Sequence, residues 1–198
     1  MSAAGRDDGG AARRGTFVLV VGPSGAGKDS IIDGARSAFA GEADFVFPRR
    51  YITRPAEAGG EAHVALTPAA FARRRLAGDF LLEWHAHGLD YALPRTIAAE
   101  LAAGRTVTAN VSRSVIEAAR GRFQPLVVAE VTAPDGVLGA RIRARGREAA
   151  ADVAARLERA RAERPRGADV VTIVNDGPLA RAVTAFVALL RDTRRGEI

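Results

Sequence analysis

The chain carries a single lysine, Lys28, among 29 basic residues. It sits in the run Gly22-Pro23-Ser24-Gly25-Ala26-Gly27-Lys28-Asp29-Ser30. Where all other positive charge is arginine, one retained lysine marks a position at which arginine cannot serve. Glycines at this spacing let backbone N–H groups curl around phosphate oxygens, and a slim ammonium on a flexible stem reaches the β- and γ-phosphates. A guanidinium is planar, broad and preset for bidentate contact, so it suits that narrow space poorly. The run reads as a phosphate-binding loop, with Gly22 to Ser30 as candidate ATP-binding residues and Lys28 as a catalytic one. One position departs from the pattern. Ser or Thr should follow the lysine and hold Mg²⁺ through its hydroxyl. Asp29 stands there, and a carboxylate is also a good Mg²⁺ ligand, directly or through water. Asp29 is therefore the candidate metal residue.

Such a loop works only between a strand and a helix. Thr16 to Val21 reads TFVLVV, an apolar and β-branched run suited to a strand buried on both faces. Beyond the loop, Ile31, Ile32, Ala35, Ala38 and Phe39 recur at helical spacing, which puts the loop N–H groups at a helix N-terminus. Strand-like and helix-like segments then alternate. Short strands are expected at Phe45 to Phe47 and His63 to Leu66, and longer ones at Arg105 to Val111, Leu126 to Thr132 and Val170 to Val174. Helices are expected from Thr67-Pro68 to near Gly78, from about Pro94 to Ala103, from Ser114 to Arg120, and from Val137 to about Arg145. Two more are expected from Ala150 to Glu163 and from Leu179 to Leu190. This alternation is that of an α/β protein with a parallel sheet. The segment from about Ile52 to Tyr91 breaks the rhythm as an inserted lobe of short strands.

Length and composition bound the reading. With 198 residues and 47% apolar residues, the chain makes one domain with small inserted lobes. No apolar run approaches the ~20 residues of a membrane span. Residues 1–15 read as a disordered tail and 16–198 as the folded domain. There is no cysteine, which excludes disulfides and thiolate metal sites and is compatible with the cytoplasm. The net charge of +6 raises nucleic acid as a partner, but 23 acidic residues interleave with the arginines and aromatics are 6%. A protein that handles polyanionic phosphate metabolites carries the same bias. Neither nucleic acid nor a membrane is expected as a partner.

The arginines fall into groups. Arg141 and Arg145 are four apart, Gly146 interrupts the helix, and Arg156 returns on the next one. Two helices joined at a flexible point and presenting arginines inward suit a lid, about residues 141–156, that closes over phosphates. Arg49, Arg50 and Arg54 follow the second strand, where an acceptor phosphate could sit. Arg73, Arg74 and Arg75 point in different directions on a helix and read as surface. Glu83-Trp84-His85-Ala86-His87-Gly88-Leu89-Asp90-Tyr91 gathers the one tryptophan, two of three histidines and one of two tyrosines. A wall facing substrate explains this better than a His-x-His metal site, because no third ligand follows at a suitable spacing.

These residues resemble the guanylate-kinase-like branch of the P-loop kinases from about Thr16 to Leu190. GPSGAGK, Thr53-Arg54-Pro55, Gly60-Glu61, Glu83-Trp84 with Gly88 and Tyr91, then Arg141, Arg145-Gly146 and Arg156, stand in that family's order, and Asn175 follows the last strand. The resemblance implies a three-layer P-loop fold on a five-stranded parallel core sheet, with an inserted acceptor-binding lobe (about 52–91) and an Arg-rich lid. It implies phosphate roles for Arg141, Arg145 and Arg156, an ATP-side role for Asn175, and substrate contacts at Arg54, Glu61, Glu83 and Tyr91. ATP and Mg²⁺ are the implied cofactors, and a homodimer is admitted.

The departures from that branch concern the nucleobase. Glu57 replaces a second acceptor-site arginine, Leu93 replaces the serine that reads guanine, and Asn110-Val111-Ser112-Arg113 replaces an acidic pair. Phosphate machinery without a base reader is similar to the ribose 1,5-bisphosphate phosphokinases, as are GPSGAGKDS, ITRP and Trp-His-Ala-His-Gly-Leu-x-Tyr. That likeness implies transfer of the γ-phosphoryl of ATP to ribose 1,5-bisphosphate, a small phosphorylated substrate, with Arg49, Arg50, His85 and His87 beside Arg54. The alternatives are a guanylate kinase with an altered base pocket and a non-catalytic binding module of the same fold.

Overall fold

The computed structural model describes residues 14–56, 62–144 and 164–198. Residues 1–13 of the expected tail (1–15), Glu61, Arg145, Arg156 and the Ala150 to Glu163 helix lie outside the described residues. At the tail's end, Gly15 is already fixed, its N–H donating to the Leu101 carbonyl at 2.8 Å.

Five parallel strands form the central sheet: Phe17–Val21 (β1), Phe45–Val46 (β2), Thr106–Asn110 (β7), Leu126–Thr132 (β8) and Val170–Val174 (β9). Their order across the sheet is β2-β7-β1-β8-β9. All five residues of β1 are fully buried, as the unbroken apolar run requires of a central strand. Its side chains alternate between two cores. Val18 and Val20 pack with Ile31 and Ala35 of Lys28–Ala38 (α1), and with Phe186 and Leu190 of Leu179–Arg195 (α6). Phe17, Leu19 and Val21 face Ile97 of Ile97–Ala102 (α3) and Ile116 and Ala119 of Ile116–Arg120 (α4). Helices on both faces of one parallel sheet make three layers.

The segment between β2 and α3 makes a second sheet. Tyr51–Ile52 (β3), Val64–Ala65 (β4), Phe80–Ala86 (β5) and Leu89–Pro94 (β6) lie in the order β4-β3-β6-β5. Pro68–Leu76 (α2) starts where Thr67 Oγ1 accepts the Ala70 N–H at 3.2 Å and Pro68 fills the first turn. Trp84 and Leu93 of this sheet belong to the same core as Phe17 and Leu19, so the sheet is packed onto the domain.

Three elements differ from the sequence reading. Pro94 does not open α3: it pairs with Phe80 as the last residue of β6, and the Arg95 N–H continues the ladder to the Asp79 carbonyl at 2.8 Å. A proline is tolerated at a strand end, where no ladder donor is needed. The last helix runs past Leu190 to Arg195, with Thr193 buried on its inner side and Gly196 closing it at φ 79°. Arg191 and Arg194 pair with Glu42 and Asp44, so its polar end carries no apolar period to read. Asp135–Ala144 (α5) begins two residues before Val137. No helix of the described residues is long and apolar enough to cross a membrane.

Candidate active site

The loop between β1 and α1 is held open by two close approaches. Gly22 has φ 144°, and a Cβ there would lie 2.0 Å from the Val131 carbonyl oxygen of β8. Gly27 has φ 90°, and its Cβ would lie 2.5 Å from Asn175 Nδ2. Both conditions exclude any side chain. Asn175, nearly fully buried beyond β9, donates Nδ2–H to the Ala26 carbonyl at 2.8 Å, and its own carbonyl accepts from Arg141 Nη1 at 3.0 Å. The expected ATP-side residues Asn175 and Arg141 are thus tied to the loop from the β8–β9 side of the sheet. The Lys28 ammonium reaches back over the loop and donates to the Gly22 and Pro23 carbonyls at 2.8 and 3.0 Å.

A cleft of about 880 Å³ opens over this loop. Lys28, Asp29 and Ser30 line it together with Arg50, Arg54, Trp84, His85, His87 and Tyr91 and with residues 110–114. Residues more than 80 positions apart meet here because β7 ends beside β1, in register Val20↔Asn110. Arg50 lies over the rings of Trp84 and Tyr91, at 5.9 and 5.4 Å from their centroids, and the rings stack on each other at 5.5 Å. Two aromatic faces thus hold the guanidinium in place beside the cleft.

The histidines have assigned work. His63 Nε2 lies 3.1 Å from the Arg54 carbonyl, which can only accept, so Nε2 carries the proton and Nδ1 faces Arg54 Nη2 at 3.4 Å. His85 Nδ1 lies 2.8 Å from Asp90 Oδ1 across the β5–β6 pair, and a carboxylate only accepts, so Nδ1 is the donor. Asp90 is held in turn by Thr53, whose Oγ1 accepts its N–H at 2.9 Å and whose N–H donates to its carbonyl at 3.0 Å. His87 and Gly88 form the two-residue turn between β5 and β6, with φ 53° and 72°. Positive φ at both positions is the turn type that favours Asn-Gly, and histidine tolerates it better than most side chains though less well than Asn.

Two expected substrate residues do not line the cleft. Glu83 points away from it on β5 and accepts from Arg75 Nε of α2 at 2.7 Å, a bond that raises the Arg75 guanidinium above its ordinary range. Arg49 is exposed, because neighbouring residues leave an extended chain on opposite sides and Arg50 takes the inner one. Asn110, Ser112 and Arg113 also line the cleft and register in the sequence only as a departure from an acidic pattern, and Ser114 beside them only as a helix start. Trp84 stands out in the sequence by its rarity and its place in the Glu83–Tyr91 segment, whereas the bonds between Thr53 and Asp90 carry no sequence signal.

A divalent cation is implied by the resemblance to P-loop kinases, and the donors here suit one. Asp29 offers a carboxylate at the first turn of α1 beside the Ser30 hydroxyl, both on the cleft wall next to Lys28. Asn110 Nδ2 donates to Asp29 Oδ1 at 2.7 Å. Among the described residues no cluster of three His, Cys, Asp or Glu forms a protein-only metal cage, which is the ordinary condition for Mg²⁺ that arrives with phosphates.

No protein-family model matches the chain. It is 45% identical over 179 residues to ribose 1,5-bisphosphate phosphokinase PhnN of Brucella melitensis, covering 90% of this chain and 93% of that one. The chain belongs to the ribose 1,5-bisphosphate phosphokinase family. The Methylobacterium radiotolerans member is 48% identical over 177 residues, covering 89% of this chain and 98% of that one. A bifunctional ribose 1,5-bisphosphokinase-thymidine phosphorylase of Cupriavidus necator is 50% identical over 181 residues, or 91% of this chain. This chain spans 30% of that longer relative. Among solved structures, guanylate kinase from Anaplasma phagocytophilum superposes with a TM-score of 0.66 at 16% identity, over 92% of this chain and 87% of that one. A gluconokinase from Sinorhizobium meliloti gives 0.54 at 21% identity, over 93% and 96%. These two likenesses show that the chain shares their fold.

Proposed function

We propose that this chain transfers the γ-phosphoryl group of ATP to the 1-phosphate of ribose 1,5-bisphosphate, giving 5-phospho-α-D-ribose 1-diphosphate and ADP. The observation that carries the reading is the one cleft that Lys28 and its loop line together with Arg50 and Arg54. Leu93, where a base-reading hydroxyl would stand, is fully buried in the core. The acceptor phosphate is already ionised, so the reaction needs no strong general base. Positioning and charge neutralisation supply the catalysis. Lys28 takes the transferring phosphoryl group, and Arg50 and Arg54 take acceptor phosphates. Arg141 and Asn175 brace the ATP side. Asp29 is the residue that would hold Mg²⁺, which neutralises charge on the nucleotide phosphates.

The test compares kcat/KM for ribose 1,5-bisphosphate, GMP, AMP and ribose 5-phosphate with ATP on one preparation. Ribose 1,5-bisphosphate should exceed GMP by at least about 100-fold, because a buried base edge loses about 1–3 kcal/mol per unmade contact. Equal or higher values for GMP would replace the reading by guanylate kinase, and no turnover with any acceptor would favour a binding module.

The hairpin turn gives a second expectation. His87→Asn should stabilise the fold by about 0.5–1 kcal/mol, since Asn adopts the left-handed conformation more readily. The same change should lower kcat/KM for the acceptor by about ten-fold if the imidazole contacts sugar or phosphate. A denaturant midpoint and acceptor kinetics on the two proteins measure both. Full activity in a stabilised variant would remove His87 from the substrate site.

A further inference from the structure

We infer that Asp29 and Asn110 form one cation-holding unit, with Asn110 the positioning residue that aims the Asp29 carboxylate. The inference rests on the nucleotide half of the proposed function alone. In P-loop proteins generally, a neutral hydroxyl follows the loop lysine and a carboxylate stands at the end of a neighbouring strand. Here the two are exchanged. The carboxylate, Asp29, is on α1 directly after Lys28, and the neutral group, Asn110, ends β7 beside β1. The two side chains touch across 81 positions of sequence, Nδ2 to Oδ1 at 2.7 Å.

The polarity of that bond matters. An amide can donate to a carboxylate, whereas a second carboxylate at this distance would repel it unless a proton or cation intervened. Asn110 is 9% exposed, so its donor is not freely exchanged for water. Asn110 engages Oδ1, and Asp29 lines the cleft beside Lys28 and Ser30. A carboxylate whose rotamer is locked by a buried partner presents its second oxygen in one direction, the second-sphere orientation that metal sites use. Arg50 borders the same pair from the acceptor side, which places the unit between the two substrates.

The test needs no acceptor, so the identity of the acceptor does not affect its outcome. ATP affinity is measured by calorimetry in Mg²⁺ and in EDTA for the intact protein and for Asp29→Asn, Asn110→Ala and the reciprocal exchange Asp29→Asn/Asn110→Asp. In the parent, Mg²⁺ should tighten ATP binding. Asp29→Asn should abolish that gain, and Asn110→Ala should reduce it by about ten-fold, the scale of one hydrogen bond to a charged group. The reciprocal exchange restores one amide and one carboxylate in contact and should recover most of the gain. The thermal midpoint should change little, which separates orientation of the carboxylate from loss of fold; in EDTA, Asp29→Asn should bind ATP no more weakly than the parent, because a negative charge beside the phosphates is removed. Three results would overturn the inference: no Mg²⁺ effect in the parent, an unchanged effect in Asn110→Ala, or an exchange variant no better than Asp29→Asn. If Asn110→Ala does not fold, the comparison of the exchange with Asp29→Asn decides the matter.

Discussion

Lys28→Arg is expected to leave the fold intact and to abolish phosphoryl transfer. The ammonium sits inside its own loop, 2.8 and 3.0 Å from the Gly22 and Pro23 carbonyls, in a space bounded by backbone. A guanidinium keeps the charge but brings a longer stem and a planar fork that this curl of backbone does not admit. What is lost is a preorganised contact to the group whose charge develops during transfer. Such contacts are worth at least ~3 kcal/mol, which lowers kcat by more than about 100-fold. Steady-state kinetics with a thermal melt of the same variant checks this. A variant keeping more than about half of the parent kcat would refute the assignment, since charge alone would then suffice.

Arg50→Ala should produce the largest loss on the acceptor side. Its guanidinium is held over Trp84 and Tyr91, and the residue lines the same cleft as the loop. A charge-assisted bond to phosphate contributes about 1.5–3 kcal/mol, so kcat/KM for ribose 1,5-bisphosphate should fall by about 10–150-fold. The KM for ATP should stay nearly constant. Arg50→Lys should recover little, because an ammonium stacks on two rings less well and cannot present a planar fork. Arg49→Ala is the internal comparison: that side chain is exposed and outside the cleft, and its loss should leave acceptor kinetics within about two-fold. Equal losses from the two variants would mean that the cleft is not where the acceptor binds.

What could be read from sequence, and what could not, follows from the range of the interactions. The loop, β1 and α1 are local: an apolar run, glycines and a helical period lie within some twenty consecutive residues, and each is visible there. The sheet follows from the alternation of elements. Strand β6 was hidden because Pro94 reads as a helix opener, while its pairing with Phe80 is a tertiary fact. Glu83 and Arg49 have suitable chemistry but leave the chain on the wrong side, and only the direction of each side chain reveals it. The Asp29–Asn110 bond is legible in neither segment alone. Its two halves are individually unremarkable departures from a motif, and they acquire meaning when β7 is laid beside β1.

The stacked pair beneath Arg50 also makes the molecule its own optical instrument. Trp84 is the chain's one tryptophan, its ring lies parallel to that of Tyr91 within 4°, and both line the cleft. Intrinsic emission excited at the red edge therefore originates from a single indole on the cleft lining beside Arg50, with no background from elsewhere in the chain. A sugar phosphate that draws Arg50 off the rings would alter that emission without any label or coupling enzyme. Occupancy of the acceptor side can thus be followed by light in the absence of ATP, which separates the recognition step from the chemical one in a single cuvette.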